Sequence, residues 1–238
     1  MKIDILAFGA HPDDVELGCG ATLAKAVAQG KKVGIIDLTK GEMGTRGTDV
    51  IRSQEAEQAA SILGVHFREN IGFRDAFILN DESHQLKVIQ VIRTYQPDVV
   101  LCNAKMDRHI DHGLASELVS NACFLSGLKK IKTNNNNITQ TVWRPKHVFH
   151  YIQWEEIHPD FVVDVSDYLN IKMKAVKAFK SQLYDEDSND AMTPISSKNF
   201  LDSVEYRAKN LGRLSFIAAA EGFTVERPIL VENFDALL

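Results

Sequence analysis

Two short segments concentrate histidine and acidic residues at a spacing that suits a metal site. The first reads GAHPDDVE at residues 9–16, and the second reads DRHIDH at residues 107–112. Together they offer three imidazoles and several carboxylates. Two histidines and one carboxylate with an open position form a common catalytic zinc arrangement, and the same donors suit non-haem iron. The two segments therefore predict a divalent metal site.

Two other interpretations of the first segment need weighing. Asp13 or Asp14 could be the N-cap of the helix that follows, since aspartate is a favoured capping residue. The segment could also bind a dinucleotide, but Gly9, Gly18 and Gly20 do not form the glycine pattern of such a loop. Acidic side chains at this position would repel a pyrophosphate and attract a cation. A cation site is the better interpretation.

The elements that must position these segments alternate between strand and helix. Apolar runs predict strands over residues 3–10, 32–39, 65–70 and 98–103, and helical spacing predicts helices over 15–29, 49–63, 82–95 and 111–125. This order predicts an α/β fold with a doubly wound, mostly parallel, Rossmann-like sheet. In such sheets the active site lies at the carboxyl ends of the strands, where the strand order reverses. Both metal-binding segments follow strand ends and can meet there.

The C-terminal half is less regular. We expect a solvated Asn-rich loop over 132–141, strands over 147–151 and 161–165, a helix capped by Ser166 or Asp167 that runs to Lys180, and a helical stretch over 199–219. Because no internal repeat or linker is visible, residues 1–238 are expected to form one domain.

Composition excludes several classes of protein. The 238 residues carry 27 Lys and Arg against 32 Asp and Glu, a net charge of −5, whereas nucleic-acid binding needs a basic surface. We find no apolar run of about 18 residues that would predict a membrane span. The three scattered cysteines indicate reduced thiols and a cytoplasmic location.

At the level of motifs, GAHPDDVELGCGATLAK at residues 9–25 and DRHIDH at 107–112 resemble the PIG-L/LmbE-like N-acetylglucosaminyl deacetylases. These zinc enzymes remove the acetyl group from N-acetylglucosamine that is attached to a second moiety. The resemblance extends over most of the chain, and the weaker matches are Glu42, Arg52, Glu55, Asp75, Ser181-Gln182 and the AEGF segment at 220–223. Within the family, the chain is most similar to the bacillithiol-pathway members, which deacetylate N-acetylglucosaminyl malate.

The resemblance implies a role for each residue of the two segments. It makes His11, Asp14 and His112 the ligands of Zn²⁺, with Fe²⁺ or another divalent metal as alternatives. It makes Asp13 the carboxylate that activates water, and such a group can deliver the proton to the leaving nitrogen. His109 would face the developing oxyanion, and Asp111 would pair with His109 and raise its pKa.

The same resemblance implies a small N-acetylglucosaminide as substrate. Arg52, Arg108, Glu42 and Asp75 are the candidate substrate-binding residues, and the two arginines suit the carboxylates of malate. Family members also form homo-oligomers, including hexamers. Two alternatives stay open: a metal-dependent amidohydrolase that acts on another N-acetyl sugar or amide, and a non-catalytic sugar-binding module. A binding module would have no need for the second acid, Asp13.

Overall fold

The computed structural model describes residues 2–237, with side chains as far as residue 235. The main sheet consists of β1 (Ile5–Gly9), β2 (Val33–Thr39), β3 (Phe67–Phe73), β4 (Val99–Cys102), β7 (His147–Tyr151), β8 (Phe161–Asp164) and β9 (Ala220–Val225), and a separate hairpin consists of β5 (Asn134–Asn135) and β6 (Ile138–Thr139). The helices are α1 (Asp14–Ala28), α2 (Asp49–Leu63), α3 (Glu82–Tyr95), α4 (Ile110–Leu125), α5 (Leu169–Val176) and α6 (Lys198–Leu214), and a 3₁₀ turn spans Phe234–Leu237.

The main sheet has the strand order β3-β2-β1-β4-β7-β9-β8. The first five strands in this order are mutually parallel, and β9 runs antiparallel between β7 and β8. One apolar core lies between the sheet and α1, α2, α5 and α6, and a second lies between the sheet and α3 and α4. The predicted doubly wound, mostly parallel sheet is therefore confirmed.

The first half of the chain follows its local signals closely. All seven residues of β2 are buried, as expected of a central parallel strand that is covered on both faces. Helix α2 has Thr48 as its N-cap, with the side chain accepting from Ile51 N, and Gly64 ends it in the left-handed conformation. Because these stop and start signals are local, the predicted bounds of α2 and α3 agree with the structure.

The strand order reverses between β1 and β4. From β1 the chain continues to β2 on one side, whereas β4 lies on the other side of β1. The crevice beyond their carboxyl ends receives residues 10–16 from β1 and residues 103–112 from β4. This is the position at which open α/β sheets bind their ligands.

Several expectations for the C-terminal half are wrong. The stretch predicted as helix over 199–219 ends at Leu214, and the strand β9 that follows was missed. Helix α5 begins at Leu169 without a side-chain cap, because Ser166 is hydrogen-bonded to the Asp164 carboxylate instead, and it ends at Val176.

The Asn-rich segment over 132–141 is a β-hairpin rather than an irregular loop. Asn136 and Asn137 have φ values of 49° and 63°, which suits the two central positions of a tight hairpin turn. Gln90 of α3 donates to Asn134 O at 3.0 Å, and Gln140 Nε2 donates to Thr94 Oγ1 at 2.8 Å. The hairpin is thus attached to α3.

Helix α1 is interrupted at Cys19, whose φ and ψ are −142° and 19°. The interruption frees backbone N–H groups, and Glu221 of β9 accepts from those of Ala21 and Thr22 at 3.2 and 2.7 Å. Lys172 of α5 lies 2.6 Å from the same carboxylate, and both side chains are buried. The glutamate of the AEGF segment is therefore a structural partner of α1.

A second buried ion cluster anchors the first turn of α1. Arg68 of β3 donates to Glu16 Oε1 at 2.6 Å and to both carboxylate oxygens of Asp37 at 2.7 and 2.8 Å. All three side chains are at most 5% exposed. Glu16, an acid of the first segment, is thus held by an arginine within the core.

Among residues 2–237, no helix combines the length and the apolar character that crossing a membrane requires. The three cysteines, Cys19, Cys102 and Cys123, are buried free thiols.

Replacing Arg68 should destabilise the fold strongly. Arg68→Met leaves the buried carboxylates of Glu16 and Asp37 without their cation, and breaking such a group costs about 3–5 kcal/mol. Urea unfolding followed by circular dichroism measures the loss. The control is Lys198→Met, which removes an ion pair whose side chains are 67% and 62% exposed. Its loss of stability should be much smaller, because exposed ion pairs contribute little. Equal losses in the two variants would show that the buried cluster stabilises the fold no more than an exposed ion pair does.

Candidate functional site

A cavity of about 320 Å³ opens at the reversal point of the sheet. It brings together residues that lie about 100 positions apart in the sequence. Its lining includes His11, Asp13, Asp14, Arg52, Asp75, Asp107, Arg108, His109 and His112, together with Gln153, Trp154 and Phe200. The two segments singled out in the sequence therefore share one site.

His11 lies among three carboxylates. Its Nε2 atom is 3.0 Å from Asp75 Oδ1 and 3.3 Å from Asp111 Oδ2, and its Nδ1 atom is 3.5 Å from Asp14 Oδ2. Burial by itself lowers the pKa of His11, but the hydrogen bonds to Asp111, Asp14 and Asp75 outweigh it and raise the pKa well above its ordinary value. The imidazole is surrounded by negative charge.

Asp14 connects the two histidines of the predicted ligand set. Besides its contact with His11, its Oδ1 atom lies 3.1 Å from His112 Nε2. Burial raises the pKa of Asp14, yet the neighbouring His112 and His11 lower it more, so the net pKa lies well below its usual range. Asp14 is therefore an ionised carboxylate in a buried site.

His112 is oriented by a carboxylate on its far side. Its Nδ1 atom lies 2.9 Å from Asp107 Oδ2. Burial lowers the pKa of His112, while Asp14 and Asp107 raise it to about 9. A histidine that donates Nδ1–H to a carboxylate and turns Nε2 inward is the usual arrangement of a metal ligand with its supporting partner.

The donor chemistry of the cavity fits a divalent cation. Ligand atoms of His11, His109 and His112 lie within 4.8 Å of one another, as do those of His11, Asp75 and Asp111. Imidazole and carboxylate are donors that zinc and iron share. His11 belongs to both sets, and Asp14 contacts two members of the first set.

Asp13 is held in an unusual backbone conformation directly before α1. Its φ is 118°, a region that residues with a side chain avoid and that costs on the order of 1–3 kcal/mol. Its side chain makes no capping hydrogen bond, and Asp14 Oδ2 accepts from His11 N rather than from the first turn of α1. The alternative in which one of these aspartates is a side-chain helix cap is therefore wrong.

The environment of Asp13 shifts its protonation. Burial raises the pKa of Asp13 to about 7, the nearby Asp14 adds to the rise, and Arg52 opposes it. The Arg52 Nη2 atom lies 3.5 Å from Asp13 Oδ2. Asp13 is thus a carboxyl group that is readily protonated and deprotonated near neutral pH.

Arg52 is committed to the protein itself. It is 5% exposed, and it donates to Gly41 O at 3.0 Å and to Pro12 O at 2.6 Å. Gly41 has a φ of 65°, and a Cβ atom there would lie 1.7 Å from Arg52 Nη1. Arg52 therefore supports Asp13 and the Gly-rich loop, with both terminal nitrogens engaged by backbone carbonyls.

The expected pair of His109 and Asp111 does not form. The Asp111 carboxylate accepts from Ala76 N at 2.8 Å and contacts His11, whereas His109 Nδ1 accepts from the backbone N of Asp111 at 3.3 Å. Burial, together with the charges of His11 and His112, lowers the pKa of His109. His109 is thus neutral, and the backbone donor at Nδ1 leaves Nε2 as the protonated nitrogen.

Glu42 and Asp75 lie in two loop segments that are hydrogen-bonded to each other. Glu42 Oε1 accepts from Asp75 N at 2.8 Å, and Asp75 Oδ2 accepts from Met43 N at 2.9 Å. Asp75 lines the cavity, but Glu42 is not among its lining residues. By contrast, Arg108 is exposed at the cavity wall, and its guanidinium carbon lies 4.6 Å from the centre of the Trp154 ring.

Two site residues, Asn103 and Gln153, lie outside both segments, and Asp107 lies within the second segment without a predicted role. Asn103 Nδ2 and Gln153 Nε2 donate to the two oxygens of Asp14 at 3.0 and 2.6 Å. Asn103 directly follows a buried strand, and a polar residue at that position was the available signal. Gln153 lies in the connection after β7, where no motif marks it.

A buried histidine supports Asn103 from behind. His150 Nδ1 lies 3.0 Å from Asn103 O and 2.8 Å from Ser116 Oγ, and His150 Nε2 lies 3.0 Å from Glu226 Oε1. Burial lowers the pKa of His150, but Cys102, Glu226 and the Asn103 carbonyl raise it more, to about 10. His150 is therefore a buried cation in the folded protein.

Comparison with known proteins gives a consistent set of relatives. Residues 6–123 match the PIG-L family, described as GlcNAc-PI de-N-acetylase. The diacetylchitobiose deacetylase of Thermococcus kodakarensis is 29% identical over 75% of this chain and 69% of its own length. The probable N-acetyl-alpha-D-glucosaminyl L-malate deacetylase 2 of Bacillus subtilis is 24% identical over 76% of this chain and 84% of its own length.

Among solved structures, a conserved protein from Thermus thermophilus is 34% identical, with a TM-score of 0.86. The alignment covers 96% of this chain and 97% of that protein.

The ion pair of His150 and Glu226 should make stability depend on pH. Because the folded-state pKa of His150 is about 10 and its unfolded value is about 6.5, its contribution is complete below about 6.5 and disappears as the pH rises through 10. The difference in unfolding free energy between wild type and Glu226→Gln should therefore be largest at pH 6 and shrink toward pH 10.

The control for this series is Glu205→Gln, which removes an exposed acid paired with Lys209. Its effect should be small at every pH. A difference for Glu226→Gln that stays constant from pH 6 to 10 would contradict a charged His150.

Proposed function

The chain belongs to the PIG-L family of metal-dependent deacetylases, and from this premise we propose that it is a zinc-dependent hydrolase that removes the acetyl group from a small N-acetylglucosamine conjugate. The proposal rests on one observation: a buried carboxyl group, Asp13, adjoins two histidines and an ionised aspartate in a single cavity. A cytoplasmic location, expected from the free thiols, is part of the same proposal.

In this proposal His11, Asp14 and His112 hold the metal. The contact of Asp107 with His112 Nδ1 supports this assignment, because it turns Nε2 toward Asp14 and the cavity. Zinc, when bound, supplies Lewis-acid chemistry, which acidifies water and polarises a carbonyl oxygen. Asp75 and Asp111 both contact His11 Nε2. A substrate or cation that moves the imidazole ring must replace those two contacts.

Asp13 is the proposed general base. Its carboxylate takes a proton from the attacking water and then delivers that proton to the amide nitrogen as the carbon–nitrogen bond breaks. A base whose pKa lies near the working pH can perform both transfers, and Arg52 at 3.5 Å favours its ionised form.

His109 is the proposed donor to the oxyanion. Its Nδ1 atom accepts from Asp111 N, so its Nε2 atom carries the proton and can donate to a developing negative oxygen. This role needs a fixed N–H group rather than a charge. The proposal thus keeps the expected role of His109 but not the expected cationic form.

For the second moiety of the substrate, malate is the first candidate. It is supported by the similarity to the B. subtilis malate deacetylase and by the exposed Arg108 at the cavity wall. Because Arg52 is buried in the protein, Arg108 is the arginine of the predicted pair that is left to pair with a carboxylate.

A second sugar ring is the other candidate. A cavity of about 670 Å³ between α6 and the connection after β7 adjoins the site and shares Trp154, Pro194 and Phe200 with it. Trp154 and Phe200 stack with ring centres 5.1 Å apart. This aromatic wall, together with the similarity to a diacetylchitobiose deacetylase, favours a neutral disaccharide.

The proposed metal ligand and the proposed base should fail in different ways. His112→Ala should lose most of its bound zinc, measured by plasma mass spectrometry, and lose acetate release with it. Asp13→Asn should keep its zinc but lower kcat by about 10²–10⁴, since the amide cannot accept a proton. The control is His66→Ala, at the opposite end of the sheet, just before β3.

Full zinc content in His112→Ala would contradict the ligand assignment. A fall in kcat of less than about tenfold in Asp13→Asn would identify another group as the base. Bound metal without acetate release from any N-acetylglucosaminide, in the wild-type protein, would favour the sugar-binding module or an amidohydrolase with a different substrate.

Arg108 distinguishes the two candidate substrates. If malate is the second moiety, Arg108→Ala removes a charge-assisted hydrogen bond of about 1.5–3 kcal/mol, which lowers kcat/KM on N-acetylglucosaminyl malate by roughly 10–150-fold. The loss on neutral diacetylchitobiose should be much smaller. Equal losses on both substrates, or faster turnover of diacetylchitobiose by the wild-type enzyme, would reject malate.

A further inference from the structure

We propose that Asn103 and Gln153 are positioning residues that fix the carboxylate of Asp14 for metal binding. This inference rests on the proposed function, because it concerns the same metal site. Nothing in the two sequence segments points to either residue. The structure links them to Asp14 across 89 and 139 positions of the chain.

The contacts cover both oxygens of Asp14. Gln153 Nε2 donates to Oδ1 at 2.6 Å, and Asn103 Nδ2 donates to Oδ2 at 3.0 Å. The backbone N of His11 donates to Oδ2 as well, at 2.9 Å. Because each oxygen accepts from a donor on a different element, the carboxylate cannot rotate without breaking a buried hydrogen bond.

The orientation of the Asn103 amide is fixed by a group that can only donate. The backbone N of Ala10 donates to Asn103 Oδ1 at 2.9 Å. The amide oxygen must therefore face Ala10, and the amide nitrogen must face Asp14. The same nitrogen lies 3.4 Å from Gln153 Oε1, which in turn directs the Gln153 nitrogen toward Asp14.

Ala10, Asn103 and Gln153 all lie just past the carboxyl ends of strands. Ala10 follows β1, Asn103 follows β4 and Gln153 lies two residues beyond β7, so the ends of three adjacent strands supply the network around Asp14. Asn103 and Gln153 are 0% and 6% exposed. His150 of β7 adds a contact to the Asn103 carbonyl at 3.0 Å. The sheet itself therefore holds the two amides.

The chemistry of the two amides suits this role. A lysine or arginine in their place would hold Asp14 equally well but would repel a divalent cation. Asparagine and glutamine donate hydrogen bonds without adding charge. Partners of this kind change metal affinity or activity by about 10–100-fold when they are removed.

Zinc binding by the full-length protein tests the inference. Asn103→Leu and Gln153→Met keep the approximate side-chain shape and remove the donors. The control, Gln140→Met, removes an amide of the same type that contacts α3 at the Asn-rich hairpin. The dissociation constant for Zn²⁺ is measured by competition with a chromophoric chelator, and thermal unfolding of the metal-free proteins reports any loss of stability.

We expect both variants to bind Zn²⁺ about 10–100-fold more weakly than wild type, and Gln140→Met to bind as wild type does. If Asn103→Leu does not fold, Gln153→Met alone decides. A dissociation constant for Gln153→Met within threefold of wild type, or a loss equal to that of Gln140→Met, overturns the inference. If the wild-type protein binds no divalent cation, the proposed metal site is wrong and the inference falls with it.

Discussion

The mutual repulsion of buried carboxylates is the constraint on which this site depends. Asp13, Asp14, Asp75 and Asp107 line one cavity, and Asp111 contacts the His11 side chain of the same cavity. The side chains of these five aspartates are at most 6% exposed. An ionised carboxylate without partners is costly to bury, so the fold must supply compensating groups. It supplies two histidines, one arginine and two amides, and these come from elements that are far apart in the sequence. A bound cation would complete this compensation.

The same constraint explains why the two segments are so dense in acids and histidines. At the start of α1, three acidic residues meet three different partners. Asp13 lies against Arg52, Asp14 against the histidines and amides, and Glu16 against Arg68 in the core. The three acids are chemically alike in the sequence, but one is a candidate base, one is a candidate metal ligand and one belongs to a structural ion pair.

Local signals were sufficient for the first half of the fold. The bounds of α2 and α3 follow from Thr48, Gly64 and Asp81, whose capping interactions lie within a few residues. Strand β9 could not be recognised in the same way, because its place in the sheet depends on β7 and β8, which lie far away in the sequence. The hairpin in the Asn-rich segment could not be predicted without knowing its turn, in which two asparagines adopt positive φ.

The two segments that meet at the site could be predicted from the sequence, but Asn103, Gln153 and the pairings within the site could not. Parallel strand ends brought residues 11–14 and 107–112 together as expected, because topology alone determines which loops meet. Which carboxylate meets which imidazole depends on the detailed packing of the side chains. Adjacency in the sequence suggested that Asp111 would pair with His109, yet the first turn of α4 directs its carboxylate to His11 and Ala76 N.

The position of Arg52 connects the chemistry of the site with its Gly-rich loop. Its guanidinium joins the carbonyls of Gly41 and Pro12 and lies beside Asp13, so one cation compensates a buried acid and fixes two turns of backbone. The turn at Gly41 has no room for a Cβ atom against that guanidinium. Arg108, by contrast, rests on Trp154 at the cavity wall. The division between an inner arginine that serves the acid and an outer arginine that faces solvent follows from burial, and the sequence alone presents the two as equivalent.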